Sequence, residues 1–313
     1  MGHLNLPFQT AFYRGKVRDV YTISNSFVIM VASDRLSAFD VILPKSIPYK
    51  GQVLNELAAY MLERCSDIVP NWLLEVPAPH ASAGYNCDPF KIEIVVRGNI
   101  TGHAWRTYKE GKRELCGVPL PENMKEFDFF PEPIITPSTK TDFGHDVDIT
   151  AEKLINQGLA TKKEWDEMAK YSLSLFKRGN EIAKSRGLIL ADTKYEFGKR
   201  DGKIMLMDEV HTPDSSRYFY LEGFDEKQSN NEKQIQLSKE FVREWLIENN
   251  FMGKEGQSVP EMSDEFVNEI SNKYIYLYEL LTDKKFIKES ISEDQLIKKL
   301  EHSATRLNSL LIK

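Results

Sequence analysis

The sequence predicts an α+β fold with two lobes and a helical C-terminal region. Short β-branched runs crowd the first hundred residues, mixed elements follow, and the last hundred residues read as helices. A length of 313 residues allows a sizeable core and two domains. Hydrophobic residues at 41% and charged ones at 28% are ordinary for a globular chain, so no fibrous or disordered class competes.

Each element has a local cause. Residues 17–24 (VRDVYTIS) and 27–33 (FVIMVAS) are apolar strand-like runs split by Asn25, which reads as a hairpin. Residues 12–14 extend that sheet across a Gly15-Lys16 turn. Val53, Leu54, Leu57, Ala58, Met61 and Leu62 recur at helical spacing, predicting a helix over 52–64. Residues 91–97 (KIEIVVR) read as a strand. Residues 115–148 are proline-rich with little periodicity, which predicts a long functional loop. Thr161 opens the clearest helix, with Glu164 completing a capping box and Gly187 as the stop. Residues 188–192 and 203–207 follow as strands, and 236–249, 264–281 and 293–310 as helices.

Composition excludes several classes. A net charge of −6 argues against a general nucleic-acid or membrane-surface binder. Cys65, Cys87 and Cys116 are scattered without a CxxC pair, as expected for a reducing compartment. No apolar run approaches the roughly 20 residues that span a bilayer, and no leader pattern opens the chain. Met1-Gly2 lacks the serine or threonine of a myristoylation signal, and the Asn99-Ile100-Thr101 sequon goes unused in a cytoplasmic protein, the expected location.

The densest chemistry lies between Leu188 and Arg217. Asp192, Lys194, Glu196, Asp208, Glu209, Asp214 and Arg217 interrupt apolar runs there. Buried carboxylates are costly unless they meet a cation, and a cluster of them suits Mg²⁺ carried with a nucleoside triphosphate. Asp192, Lys194 and Glu196 alternate, so a regular strand puts them on one face. Asp201-Gly202 signals a hairpin. A two-residue loop sets Glu196 opposite Met207 and diagonal to Asp208; a longer one sets Asp192 opposite Asp208.

Other segments add to this. Gly15 with Lys16 and Arg18 allows close phosphate approach, or is a plain hairpin. Asp34 and Arg35 follow a strand directly, where a site or a capped loop is equally at home. Arg97 ends a strand, ready for a phosphate or carboxylate fork, or for a salt bridge. Thr136-Pro137-Ser138-Thr139-Lys140 offers hydroxyls and an ammonium inside the expected loop. Asp142-Phe143-Gly144 spells the kinase magnesium motif, but no HRD-type loop or VAIK-type strand accompanies it.

Together GKVRDVY, SDRLSAFD, VVRGNITGHAW, ITPSTKTDFGHD, LILADTKYEFG and MDEVHTPDSSRYF, in this order over about residues 12–220, resemble the SAICAR synthetase family of purine biosynthesis. The tail after Gln234 resembles the longer, yeast-type members. The resemblance implies an antiparallel N-terminal sheet lobe and an ATP-binding lobe, distantly similar to protein kinases and ATP-grasp enzymes. The spans expected are a β lobe over 1–96, an ATP- and substrate-binding lobe over 97–225 and a helical region over 226–313 packing on the lobes. It implies ATP and Mg²⁺ as cofactors and CAIR, the carboxylated aminoimidazole ribonucleotide, and L-aspartate as substrates of a monomer, with a dimer as the alternative.

By resemblance Gly15, Lys16, Arg18 and Lys140 face the nucleotide, and Glu196 and Asp208 hold Mg²⁺. Asp34, Arg35, Arg97, His103, Ser215 and Arg217 contact substrate, and Asp192, Lys194 and Asp214 serve the chemistry. The reaction itself requires a base for the ammonium proton of aspartate, and Asp192 and Asp214 are the candidates. One departure stands out: His103 occupies a place where many members have serine. The rival readings are a small-molecule kinase using the same pocket and a non-catalytic nucleotide-binding regulator.

Overall fold

The structure is a computed structural model that describes residues 4–39, 41–140 and 147–311. Met1-Gly2, Asp40 and the Asp142-Phe143-Gly144 tripeptide lie outside the described residues. The chain forms two compact units, one of Met1–Glu63, Asn71–Cys87 and Phe241–Lys313, the other of Arg64–Pro70 and Asp88–Glu240. The expected boundary at 96/97 falls inside the strand Asp88–Asn99, and residues from Phe241 onward join the N-terminal unit.

The first unit holds a five-stranded antiparallel sheet in the order Gln9–Arg14, Arg18–Ile23, Phe27–Ala32, Ala81–Tyr85, Leu73–Ala78. Tyr21 and Ile23 alternate along one strand, Ile29 and Val31 along the next. They bury against Leu296, Leu300, Ala304 and Leu307. Those four residues form one stripe of the helix Glu293–Ser309, which starts on a Ser292–Gln295 capping box. The helix Lys50–Arg64 begins two residues before its predicted start. Glycine is needed at position 51, because a Cβ there would come within 2.6 Å of the Ala32 carbonyl oxygen.

The second unit holds a seven-stranded sheet. Its path runs Val147–Asp148, Phe129–Thr139, Asp88–Asn99, Leu188–Arg200, Ser216–Tyr220, Gln236–Leu237, and Lys203–Met207 also pairs with Leu188–Arg200. Leu188–Arg200 is the hub. Asp88–Asn99 pairs with it along one edge. Lys203–Met207 and Ser216–Tyr220 share the other edge end to end, and residues 208–215 leave the sheet between them. Asp201 and Gly202 have φ of 50° and 76°, as a type I′ turn demands. The two-residue loop is therefore the one formed, and Glu196 pairs with Met207 beside Asp208. The helix Lys162–Ser185 starts on the predicted Thr161–Glu164 capping box and packs on this sheet, with Phe176 over Gly98 and Gly179 against Leu190 and His211.

Two elements differ from expectation. The proline-rich pattern predicts an irregular loop over 115–148, yet Phe129–Thr139 is a strand. Pro131 and Pro133 break the alternation that would have revealed it. They fall at a register shift between Phe129 and Ile134, where a missing N–H does no harm, and pairing is continuous from Ile134 to Thr139. The helix expected over 236–249 begins only at Glu240, because Gln236–Leu237 pairs with Phe219 and Tyr218. Among the described residues no helix is long and apolar enough to cross a membrane.

Candidate functional site

Residues that pair across adjacent strands share a face. Asp192 pairs with both Arg97 and Arg217, and Glu196 pairs with Glu93. With Asp192, Lys194 and Glu196 alternating, one face collects Glu93, Arg97, Asp192, Lys194, Glu196 and Arg217. Asp192 and Glu196 are four residues apart, roughly 13 Å along the strand, so the face has two chemically distinct ends.

At the first end, Asp192 Oδ2 accepts from Arg97 Nη1 at 3.2 Å and from Arg217 Nη1 at 2.6 Å. Arg97 also donates from Nε to Thr136 Oγ1, and Arg217 from Nη2 to Glu240 at 2.9 Å. All three members of the row are largely buried. Burial works to lower the pKa of Arg217, but Asp192 and Glu240 hold it above the ordinary value. Burial lowers that of Arg97 against the pull of Asp192. The Nε of Arg217 is buried without a hydrogen-bond partner. Gly102, at φ +55°, lies against this guanidinium; a Cβ there would fall 2.4 Å from Nη2.

At the second end carboxylates and ammoniums alternate. Lys194 Nζ donates to Glu93 Oε1 at 2.7 Å and to Glu196 Oε1 at 2.6 Å. Lys140 donates to the other Glu196 oxygen. Burial works to raise the Glu196 pKa, but Lys194 and Lys140 hold it down at about 2. Burial works against the charge of both lysines, yet Glu196 raises the pKa of each, with help from Asp208. Lys194 still keeps 28% of its side-chain surface exposed, enough to meet a ligand.

The segment 208–215 carries the remaining groups of this region. Asp208 sits just past Met207 with φ +55°. Asp214 is buried and lies 3.5 Å from Lys239 Nζ. Ser215 closes a turn on Thr212, and its carbonyl accepts from the Lys194 N–H. His211 anchors the segment from the helix side: its Nε2 meets the Tyr195 hydroxyl at 2.7 Å, and Tyr218 donates to its carbonyl. His103, on the first turn of the helix Gly102–Lys109, bonds Asp148 at 2.7 Å and lowers its pKa, with both side chains nearly half exposed.

The other predicted residues belong to the first unit. Arg35 braces the glycine turn by donating to the Gly15 and Lys16 carbonyls and to buried Asp19. Gly15 N–H closes that turn onto the Arg18 carbonyl at 2.7 Å. Asp34 accepts from the Gly51 N–H at the start of the helix Lys50–Arg64. Asp34 and Arg35 line a cavity of about 520 Å³ with Asp19, Ser33, Gln52 and His80. Burial lowers the His80 pKa against the opposing charge of Asp34.

Sequence reasoning missed Glu93 and Glu240. Glu93 leaves one signal, the single carboxylate of the strand KIEIVVR, set between two isoleucines. Glu240 leaves none, since it reads as an ordinary helix residue.

Comparison with known proteins identifies the family of the chain. The family model described as SAICAR synthetase matches residues 11–260. A phosphoribosylaminoimidazole-succinocarboxamide synthase of Cytophaga hutchinsonii is 58% identical over 94% of this chain and 96% of its own. One of Bacteroides fragilis is 59% identical over 92% of each chain. A solved SAICAR synthase from Saccharomyces cerevisiae, complexed with SAICAR, superposes with a TM-score of 0.76 at 32% identity, over 90% of this chain and 97% of that one. The chain belongs to the SAICAR synthetase family.

Proposed function

We propose that this chain joins L-aspartate to the carboxylate of CAIR with ATP, giving SAICAR, ADP and phosphate, and that the two ends of the strand face divide the work. The observation that supports this division is one strand, Leu188–Arg200, offering an arginine row and a carboxylate–ammonium row on the same face. Guanidinium forks match phosphate oxygens, so Arg97 and Arg217 are assigned to the ribonucleotide phosphate and Asp192 to holding them parallel. Lys194 and Lys140 are assigned to the transferring phosphoryl group. Gly15, Lys16 and Arg18 go to the ATP phosphates, and Asp34, Arg35, His103 and Ser215 to substrate, on the resemblance.

Glu196 and Asp208 are hard oxygen donors, and two carboxylates fit a Mg²⁺ that takes its other ligands from phosphates and water. When bound, Mg²⁺ neutralises charge on the triphosphate. A carboxylate is a poor electrophile, so CAIR needs activation. Its oxygen attacks the γ-phosphorus, the bond to the β-phosphate oxygen breaks, and ADP leaves. The α-amine of aspartate then attacks the acyl carbon; the C–N bond forms, phosphate leaves and a base takes the amine proton. Asp192 is committed to hydrogen bonds from two guanidiniums, so Asp214 is assigned that role. The lysines and arginines work by positioning and by charge stabilisation.

Phosphate release tests the reading. It should require ATP, CAIR and aspartate together. Release of ADP without aspartate, with a stable phosphorylated product, would make the chain a small-molecule kinase instead. The proposal includes a cytoplasmic monomer; light scattering showing twice the monomer mass would contradict the second part.

A further inference from the structure

We propose that Glu93 is the positioning residue for Lys194, holding its ammonium on the strand face when Glu196 turns to a divalent cation. The inference rests on the reading of Glu196 as a Mg²⁺ ligand and Lys194 as a phosphate contact. Glu93 stands directly opposite Glu196 in the sheet register, on the neighbouring strand. The Lys194 ammonium bridges them, at 2.7 Å from Glu93 Oε1 and 2.6 Å from Glu196 Oε1. The second Glu196 oxygen accepts from Lys140. Glu93 and Glu196 are 14% and 12% exposed, so water solvates neither charge well.

Two carboxylates facing each other across a strand pair repel, and the lysine between them relieves that repulsion. A carboxylate that ligates a cation commits its lone pairs to it. The bond from Glu196 to Lys194 then weakens, because the ammonium and the cation are both positive. Lysine is a point charge on a flexible stem, so one lost anchor lets it swing. Glu93 is held by the central pairing of the sheet and lies on a different strand from Glu196. It keeps the second anchor, and strand pairing holds that anchor opposite Glu196. Without the Glu93 charge, Lys194 leans on Glu196 and competes with the cation for it.

Calorimetric titration of Mg²⁺–ADP into wild type, Glu93→Gln, Glu93→Asp, Lys194→Met and the Glu93→Gln/Lys194→Met double variant tests this, with CAIR titration as the control. Glu93→Gln keeps the shape and loses the charge. It should weaken Mg²⁺–ADP binding about tenfold, the scale of lost outer-sphere partners, and leave CAIR affinity within about twofold. Glu93→Asp should restore part of the loss. In the Lys194→Met background Glu93→Gln should have no further effect, because the effect runs through the lysine. The proposal is overturned if Glu93→Gln binds Mg²⁺–ADP like wild type, or weakens CAIR binding equally. It is also overturned if Glu93→Gln weakens Mg²⁺–ADP as much without Lys194, which would make Glu93 a cation ligand. Wild type failing to bind Mg²⁺–ADP overturns the nucleotide reading as well; wild type binding normally beside an unaffected Glu93→Gln overturns only this inference.

Discussion

His211 is fully buried, and burial lowers its imidazole pKa to about 3. The unfolded chain's imidazole titrates near 6.5. Below about pH 6.5 the unfolded state therefore takes up a proton that the folded state refuses. Stability falls as pH falls, by up to about 1.4 kcal/mol per pH unit, until about pH 3. Denaturant melts at pH 7, 6 and 5 should show His211→Gln losing one proton of this dependence; parallel wild-type and variant curves would contradict it. Gly102 is a second sensitive position. Its added Cβ would meet a guanidinium that Asp192 and Glu240 pin, so the arginine cannot step aside cheaply. Gly102→Ala should raise the KM for CAIR by about tenfold through loss of a charged hydrogen bond and leave that for ATP unchanged. Neither position was legible in the sequence. One histidine and one glycine look alike in any loop until a sheet and a helix close around them.

Among elements, the hub hairpin shows what a short signal can carry. Asp201-Gly202 and the alternation of Asp192, Lys194 and Glu196 implied a turn and a shared face, and both formed. The register stayed open because loop length is set by backbone geometry at two residues. Gly202→Ala forces a side chain into the left-handed region and should cost about 1 kcal/mol. Urea denaturation checks this, with a lowered midpoint and an unchanged slope expected. The strand Phe129–Thr139 was illegible for the opposite reason: three prolines imitate a loop, and the ladder tolerates them at a register shift and at Pro137 opposite Ile94. With that strand hidden, the place of Lys140 just past its end, and its bond to Glu196, were not foreseeable.

At the scale of the whole molecule, the C-terminal helices were legible as helices but not as part of the N-terminal unit. Periodicity reveals an apolar stripe and is silent on what it covers. Here Leu296, Leu300, Ala304 and Leu307 complete the core of the five-stranded sheet. Leu300→Ala should destabilise this unit by about 2–5 kcal/mol through the cavity it leaves, read as a lower denaturation midpoint. The family was readable from six ordered motifs, whereas the division of the site needed the pairing of Asp192 with two arginines and of Glu196 with Glu93. That division is the central claim, and steady-state kinetics of Arg217→Lys and Lys194→Met, with CAIR and ATP varied in turn, tests it most directly. Arg217→Lys should raise the KM for CAIR about tenfold or more with the ATP constant little changed. Lys194→Met should lower kcat by about a hundredfold with the CAIR constant little changed. Variants that each disturb CAIR and ATP alike would contradict a face divided between the two substrates.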